Sequence, residues 1–136
     1  MDMISSKLVL DILDLLLDGD EYGKSLRPQV NYLTDAKYDY TGAGLFVTFQ
    51  TSDGIEKYKR LEDGMRLDGI SVASSALGVG AMAQVFVSKG IIDYLEIWSY
   101  DGEYPNRELN DYILKQEGSF GTGREIKSPE QGPITK

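Results

Sequence analysis

Apolar residues recur along this chain with two different spacings, and the change from one to the other separates helices from strands. Across Ile4–Asp18, the residues Val9, Ile12, Leu13, Leu16 and Leu17 fall on one side of a 3.6-residue helix. Lys7, Asp11, Asp14 and Asp18 follow one another as a single polar stripe, read as the solvated side. Asp2 or Ser5 can cap the start, and Gly19 can stop the helix in a left-handed conformation. Glu21–Leu33 keeps the helical spacing through Leu26, Val30 and Leu33, but Pro28 forbids an uninterrupted helix. The pattern predicts a break near Arg27 or a restart capped by Ser25.

From Thr34 the period drops to two. Thr34–Thr41 alternates Ala36, Tyr38 and Tyr40 with Asp35, Lys37 and Asp39, a half-exposed strand. Leu45–Thr51 reads as a more buried strand. Ile55–Leu61 fits an exposed strand or a short helix equally well. Leu67–Ser75 is another strand, and Glu108–Gln116 is a last strand or a short helix. Turns are expected at Asp53-Gly54, Glu62-Asp63-Gly64 and Asp101–Arg107.

The strongest β signal is Ala81–Tyr100, which reads as a hairpin turning at Ser88-Lys89-Gly90. A three-residue loop pairs Val87 with Ile91 and Ala83 with Leu95. Ala81, Ala83, Val85, Val87, Ile91, Asp93, Leu95 and Ile97 then share one face, the core. Met82, Gln84, Phe86, Ile92, Tyr94, Glu96, Trp98 and Tyr100 share the other. This second face is aromatic, sulfur-bearing and interrupted by one carboxylate. With Asp101 and Glu103 beside it, it is the candidate binding site. The plain alternative is that helices cover it and Glu96 pairs with Arg27 or Arg107.

From Gly118 the sequence becomes rich in glycine and proline. It divides as a single domain over residues 1–117 and a tail over 118–136, flexible or ordered by a partner. Truncation after Glu117 is expected to cost under about 1 kcal/mol, because so few apolar groups remain to offset the ordering entropy. The whole reads as an α+β domain, with one or two N-terminal helices packed on a mostly antiparallel sheet of five or six strands.

Composition narrows the chemistry. With no Cys and no His, thiolate catalysis, zinc-thiolate sites and the commonest general base are all excluded. The formal net charge is −8, and residues 1–117 carry 11 basic against 20 acidic side chains. Such a field repels nucleic acid and anionic membranes and favours a basic protein partner. No apolar run reaches the length of a membrane span, and Met1–Lys7 lacks the features of a signal peptide, so a cytoplasmic protein is expected. Asp18, Asp20 and Glu21 cluster as a weak cation-site candidate without the spacing of a calcium loop. The two Gly-x-Gly stretches, Gly42-Ala43-Gly44 and Gly78-Val79-Gly80, each run into a strand rather than a helix. They are read as bends, not phosphate loops. No metal site and no cofactor are expected.

Tyr40-Thr41-Gly42-Ala43-Gly44-Leu45-Phe46, followed later by Gly90-Ile91, Leu95-Glu96, Trp98, Tyr100 and Pro105, carries a resemblance. The stretch from about residue 5 to 115 resembles a loose group of short bacterial proteins with a Tyr-Thr-Gly-x-Gly-x-Phe strand and a later Leu-Glu strand followed by aromatics. Leu45 stands where that group carries an aromatic. In size and simplicity the group is similar to immunity proteins of bacterial toxin systems, an analogy that implies a binding role and no catalytic residues.

The expected function is therefore a small acidic cytoplasmic binding protein, an inhibitor or immunity protein neutralising a basic toxin or nuclease. Its binding residues are Met82, Gln84, Phe86, Tyr94, Glu96, Trp98, Tyr100, Asp101 and Glu103. The alternatives use the same face. One is a small-molecule or peptide binder oriented by Glu96. The other is a carboxylate enzyme pairing Glu96 with Asp93, Asp101 or Glu103, although Asp93 is expected on the opposite face.

Overall fold

The computed structural model describes residues 3–118 and 121–128. The chain opens with helix α1 (Lys7–Leu16) and helix α2 (Glu21–Leu26), and a 3₁₀ turn (Arg27–Tyr32) leads into the sheet. Seven strands follow: β1 (Leu33–Tyr40), β2 (Gly44–Thr51), β3 (Met65–Ala73), β4 (Ala81–Ser88), β5 (Ile91–Ser99), β6 (Ile113–Gln116) and β7 (Glu125–Lys127). They form one antiparallel sheet in the order β1-β2-β5-β4-β3-β6-β7. The architecture is α+β with N-terminal helices, as expected, but there are seven strands rather than five or six. The seventh comes from the stretch set apart as a tail; residues 119–120 and 129–136 of that stretch lie outside the described residues.

Helix α1 is shorter than its apolar spacing suggests. Ser6 caps it, its Oγ accepting from the Val9 N–H, so Ile4 and Ser5 precede the helix. Ser5 is occupied elsewhere, donating to Asp35, and Asp2 lies outside the described residues. At the other end Leu17 is the C-cap, and Gly19 does not take the left-handed conformation. The break at Arg27 is as expected; α2 is capped by Asp20 rather than restarted by Ser25.

Packing α1 against β3, β4 and β6 buries Leu8, Ile12, Leu13, Leu15 and Leu16. Opposite them lie Leu67, Ile70, Val72, Ala83, Val85, Leu95, Ile97 and Leu114, so the core occupies a single layer between helix and sheet. The stripe read as solvated is only partly so. Asp11 is buried, accepts from the Tyr112 hydroxyl at 2.9 Å and pairs with Lys7. Asp14 pairs with Arg27 and Arg124, and Asp18 with Arg124. These carboxylates hold the C-terminal strand and the 3₁₀ turn to the helix.

Three bulges change which residues share a face. In β1 the register shifts at Ala36, which turns Asp35 to the side of Tyr38 and lets the Tyr38 hydroxyl donate to it at 2.5 Å. In β3 the residues Asp68 and Gly69 bulge, so Leu67 and Ile70 both face the core. The third bulge is at Asp93 in the β4–β5 hairpin. The turn itself is a two-residue one, Lys89-Gly90, with φ of 54° and 79°. Val87 therefore pairs with Ile92, not Ile91, and Ala83 with Ile97, not Leu95. Ile92 is core rather than outward-facing. Beyond the bulge the parity is restored, so Tyr94, Glu96 and Trp98 still share a face with Phe86, Gln84 and Met82.

The ambiguous Ile55–Leu61 stretch is a 3₁₀ turn at Ile55–Tyr58, with Ile55 buried beneath it. Both Gly-x-Gly stretches lead into strands. Gly44 opens β2 so close to β5 that a Cβ there would lie 2.2 Å from the Ile97 carbonyl oxygen.

Candidate functional site

Since the core and α1 lie on one side of the sheet, the central strands present their alternate residues to the other. Pairing arranges these outer residues in rows about 5 Å apart across strands and about 7 Å apart along them. One row runs Lys37, Thr48, Tyr94, Phe86 and Arg66 from β1 to β3. The next runs Asp39, Phe46, Glu96 and Gln84. The third runs Gly44, Trp98, Met82, Ser71, Lys115 and Glu125.

Aromatic side chains associate within and between these rows. Tyr94 stacks on Phe86, with ring centres 4.5 Å apart, and meets Phe46 at 6.0 Å. Trp98 meets Tyr100 edge-on at 5.3 Å. Trp98 remains 36% exposed and Tyr100 49%, an unusual degree of exposure for two large rings side by side.

A polar pair sits in the middle row. Gln84 is 9% exposed, and its Nε2 donates to Glu96 Oε1 at 2.7 Å. Because a carboxylate only accepts, this bond fixes the amide's orientation and leaves Gln84 Oε1 as an acceptor. Phe46 flanks Glu96 in its row, with Tyr94 and Phe86 on one side and Trp98 and Met82 on the other. Past Gln84 the surface opens onto the Asp68-Gly69 bulge of β3.

Of the residues singled out from the sequence, Met82, Gln84, Phe86, Tyr94, Glu96 and Trp98 lie together on this face. Tyr100 adjoins them through Trp98. Asp101 and Glu103 do not. They belong to the turn after β5, where Asp101 accepts from the Ser99 hydroxyl at 2.6 Å and the Glu103 N–H at 3.0 Å. The Ser99 hydroxyl and the Glu103 N–H hold the Asp101 carboxyl below its ordinary pKa. Asp93 is the bulged residue of β5. Glu96 thus has an amide, not a second carboxylate, as its cross-strand neighbour in this row. The expected alternative partners are engaged elsewhere: Arg27 with Asp14, and Arg107 with the Glu108 carbonyl.

Phe46 is the member of this face that the sequence reading passed over. Its alternation with Thr48 along β2 was visible. Its position beside Glu96 depends on β2 pairing with β5, a contact between strands more than forty residues apart.

Two grooves lie elsewhere. One, of about 490 Å³, runs between α1 and the 3₁₀ turn past Leu10, Asp14, Arg27 and Val30. The other, of about 500 Å³, is a shallow depression past Phe49, Thr51, Ser88 and Ile91. The Asp18, Asp20 and Glu21 cluster does not converge on a cation: Asp18 binds Arg124 and Asp20 caps α2. Among the described residues no helix is long and apolar enough to cross a membrane. Comparison with protein-family models, curated proteins and solved structures yields no significant match.

Proposed function

We propose that this chain is a small acidic cytoplasmic binding protein that captures a basic protein partner on the outer sheet face, as an inhibitor or immunity protein captures a toxin or nuclease. The observation that carries this reading is the band formed by Phe46, Phe86, Tyr94, Met82 and Trp98 on the side of the sheet away from α1. Interface cores are enriched in aromatic residues and Met, and such anchors supply most of the binding energy. The net charge of −8 suits a basic partner by accelerating encounter. The small-molecule reading gains less, since neither groove includes Glu96 or Trp98. The carboxylate-enzyme reading lacks a second acid next to Glu96: Asp39, the other carboxylate of its row, stands beyond Phe46.

The test takes the product of an adjacent reading frame with a basic terminal domain as the candidate partner. Trp98→Ala is expected to raise the dissociation rate by the equivalent of about 2 kcal/mol or more. Asp39→Lys, at the exposed β1 end of the middle row, is expected to slow association at low salt with little effect at high salt. Circular dichroism first establishes that the Trp98→Ala protein is folded. Unchanged affinity in a folded Trp98→Ala protein would exclude this face.

A further inference from the structure

The middle row of the outer face has an unusual polarity for a site flanked by rings. In the Gln84–Glu96 pair acceptors outnumber donors: Gln84 Nε2 gives one N–H to Glu96 and keeps a second, against the two carboxylate oxygens and Gln84 Oε1. Gln84 is more than nine-tenths buried, so this array is held by the sheet rather than by a mobile surface chain. No donor from the described residues reaches Gln84 Oε1 or Glu96 Oε2, and rings flank the array along β5 and across to β2. An anionic, acceptor-rich site between π faces is complementary to a planar cation with several N–H groups. The guanidinium is that cation: it can face the carboxylate with two parallel N–H bonds, reach Gln84 Oε1 with a third and stack on a ring. A lysine ammonium offers the charge without the plane. A neutral ligand would leave the carboxylate uncompensated.

We infer that Glu96 and Gln84, framed by Phe46, Tyr94 and Trp98, form a seat for a single arginine side chain presented by the partner. This rests on the basic-partner reading above and specifies which residue of the partner occupies the centre of the face. It makes the Gln84–Glu96 pair the specificity element and the rings its walls. The surrounding face remains the larger apolar contact.

The seat is testable without the partner, so its failure and the failure of the partner reading can be told apart. The probe is a short capped glycine peptide containing one arginine, with lysine and citrulline counterparts. It is titrated into the isotope-labelled full chain. Trp98 is the only tryptophan, so its indole N–H resonance reports the site unambiguously. Expected are a saturable shift with the arginine peptide, affinity roughly fivefold weaker with lysine, equivalent to about 1 kcal/mol, and no saturable shift with citrulline. Glu96→Gln should abolish the arginine response. Should that variant not give a native spectrum, the citrulline comparison carries the same decision, since it removes the charge from the ligand instead. Equal responses to arginine and lysine, a response that persists in a folded Glu96→Gln protein, or no saturable response to arginine would each overturn the seat. A Trp98 shift on dilution of the protein alone would assign the face to a second copy of the chain and overturn it too. None of these outcomes alters the Trp98→Ala kinetics that test the partner reading.

Discussion

Gln29 is fully buried, and its amide serves three backbone groups from two loops. Nε2 donates to the Tyr58 and Gly90 carbonyls, at 3.0 and 2.9 Å, and Oε1 accepts from the Ile92 N–H at 2.9 Å. One side chain thereby ties the 3₁₀ turn near the N-terminus to the hairpin turn that sets the β4–β5 register. Gly90 lies so close to Arg60 that a Cβ there would meet its carbonyl oxygen, and its positive φ adds to the requirement for glycine. Gln29→Leu keeps the volume but strands the Ile92 N–H and the Tyr58 carbonyl, while the Gly90 carbonyl keeps the Arg60 N–H at 3.0 Å. At about 1–3 kcal/mol for a buried group left unsatisfied, the expected loss is about 3 kcal/mol. Urea denaturation measures it, and a loss below about 1 kcal/mol would mean water reaches these groups in the folded variant. In the sequence Gln29 is one polar residue after a proline, and nothing in its neighbours distinguishes it from a solvated glutamine.

At the scale of elements, the C-terminal strand is where the apolar pattern misleads most. β7 has three residues and one half-buried apolar side chain, Ile126, so hydrophobic patterning gives it almost no signal. Polar bonds place it instead. Gln116, also buried, accepts from the Thr122 and Arg124 N–H groups through Oε1 and donates to the Leu15 carbonyl through Nε2. Arg124 adds ion pairs to Asp14 on α1 and Asp18 just beyond it, and the Ser128 hydroxyl accepts from the buried Tyr112 N–H. Truncation after Glu117 strips Gln116 Oε1 of both donors and exposes the edge of β6. It is therefore expected to cost about 3 kcal/mol and about 10 °C in thermal midpoint, well beyond the loss that composition alone implies. A shift of a degree or two by calorimetry would mean this strand contributes little. The other elements were legible to the degree that long periodic runs made them so. α1, β1, β2, β4 and β5 all follow their spacing to within a few residues. The bulges at Ala36, Asp68-Gly69 and Asp93 were not legible, because each is fixed by the partner strand. Tyr94, Glu96 and Trp98 share a face with Phe86, Gln84 and Met82 in either hairpin, because the Asp93 bulge compensates the shorter loop.

At the scale of the molecule, the described groups with shifted titration are carboxyls, phenols and the Arg124 guanidinium, raised by its bonds to Asp14 and Asp18, and the chain has no histidine. Asp18 is held below its ordinary pKa first by the hydrogen bond from Arg124, and Asp111 by that from Ser75. For Asp35 burial opposes the charge, but bonds from Tyr38 and Ser5 outweigh it and leave the carboxyl lowered. A lowered carboxyl stabilises the fold fully above the unfolded value near 3.9, and that contribution is lost as pH falls through the folded value. Tyr22, Tyr38, Tyr40 and Tyr104 are raised, each primarily by burial. Their sign is the opposite in pH: the unfolded phenols ionise near 10 while the folded ones stay protonated, so stability falls as pH rises above that value. Stability should therefore hold level between about pH 5 and 9 and decline on both sides. Two variants separate the limbs. Asp35→Asn should flatten the acid limb. Tyr104→Phe should flatten the alkaline limb without loss at neutral pH, because the buried Tyr104 hydroxyl has no hydrogen-bond partner among the described residues. Urea midpoints measured across this range check both, and a step in stability between pH 6 and 8 would contradict the assignment.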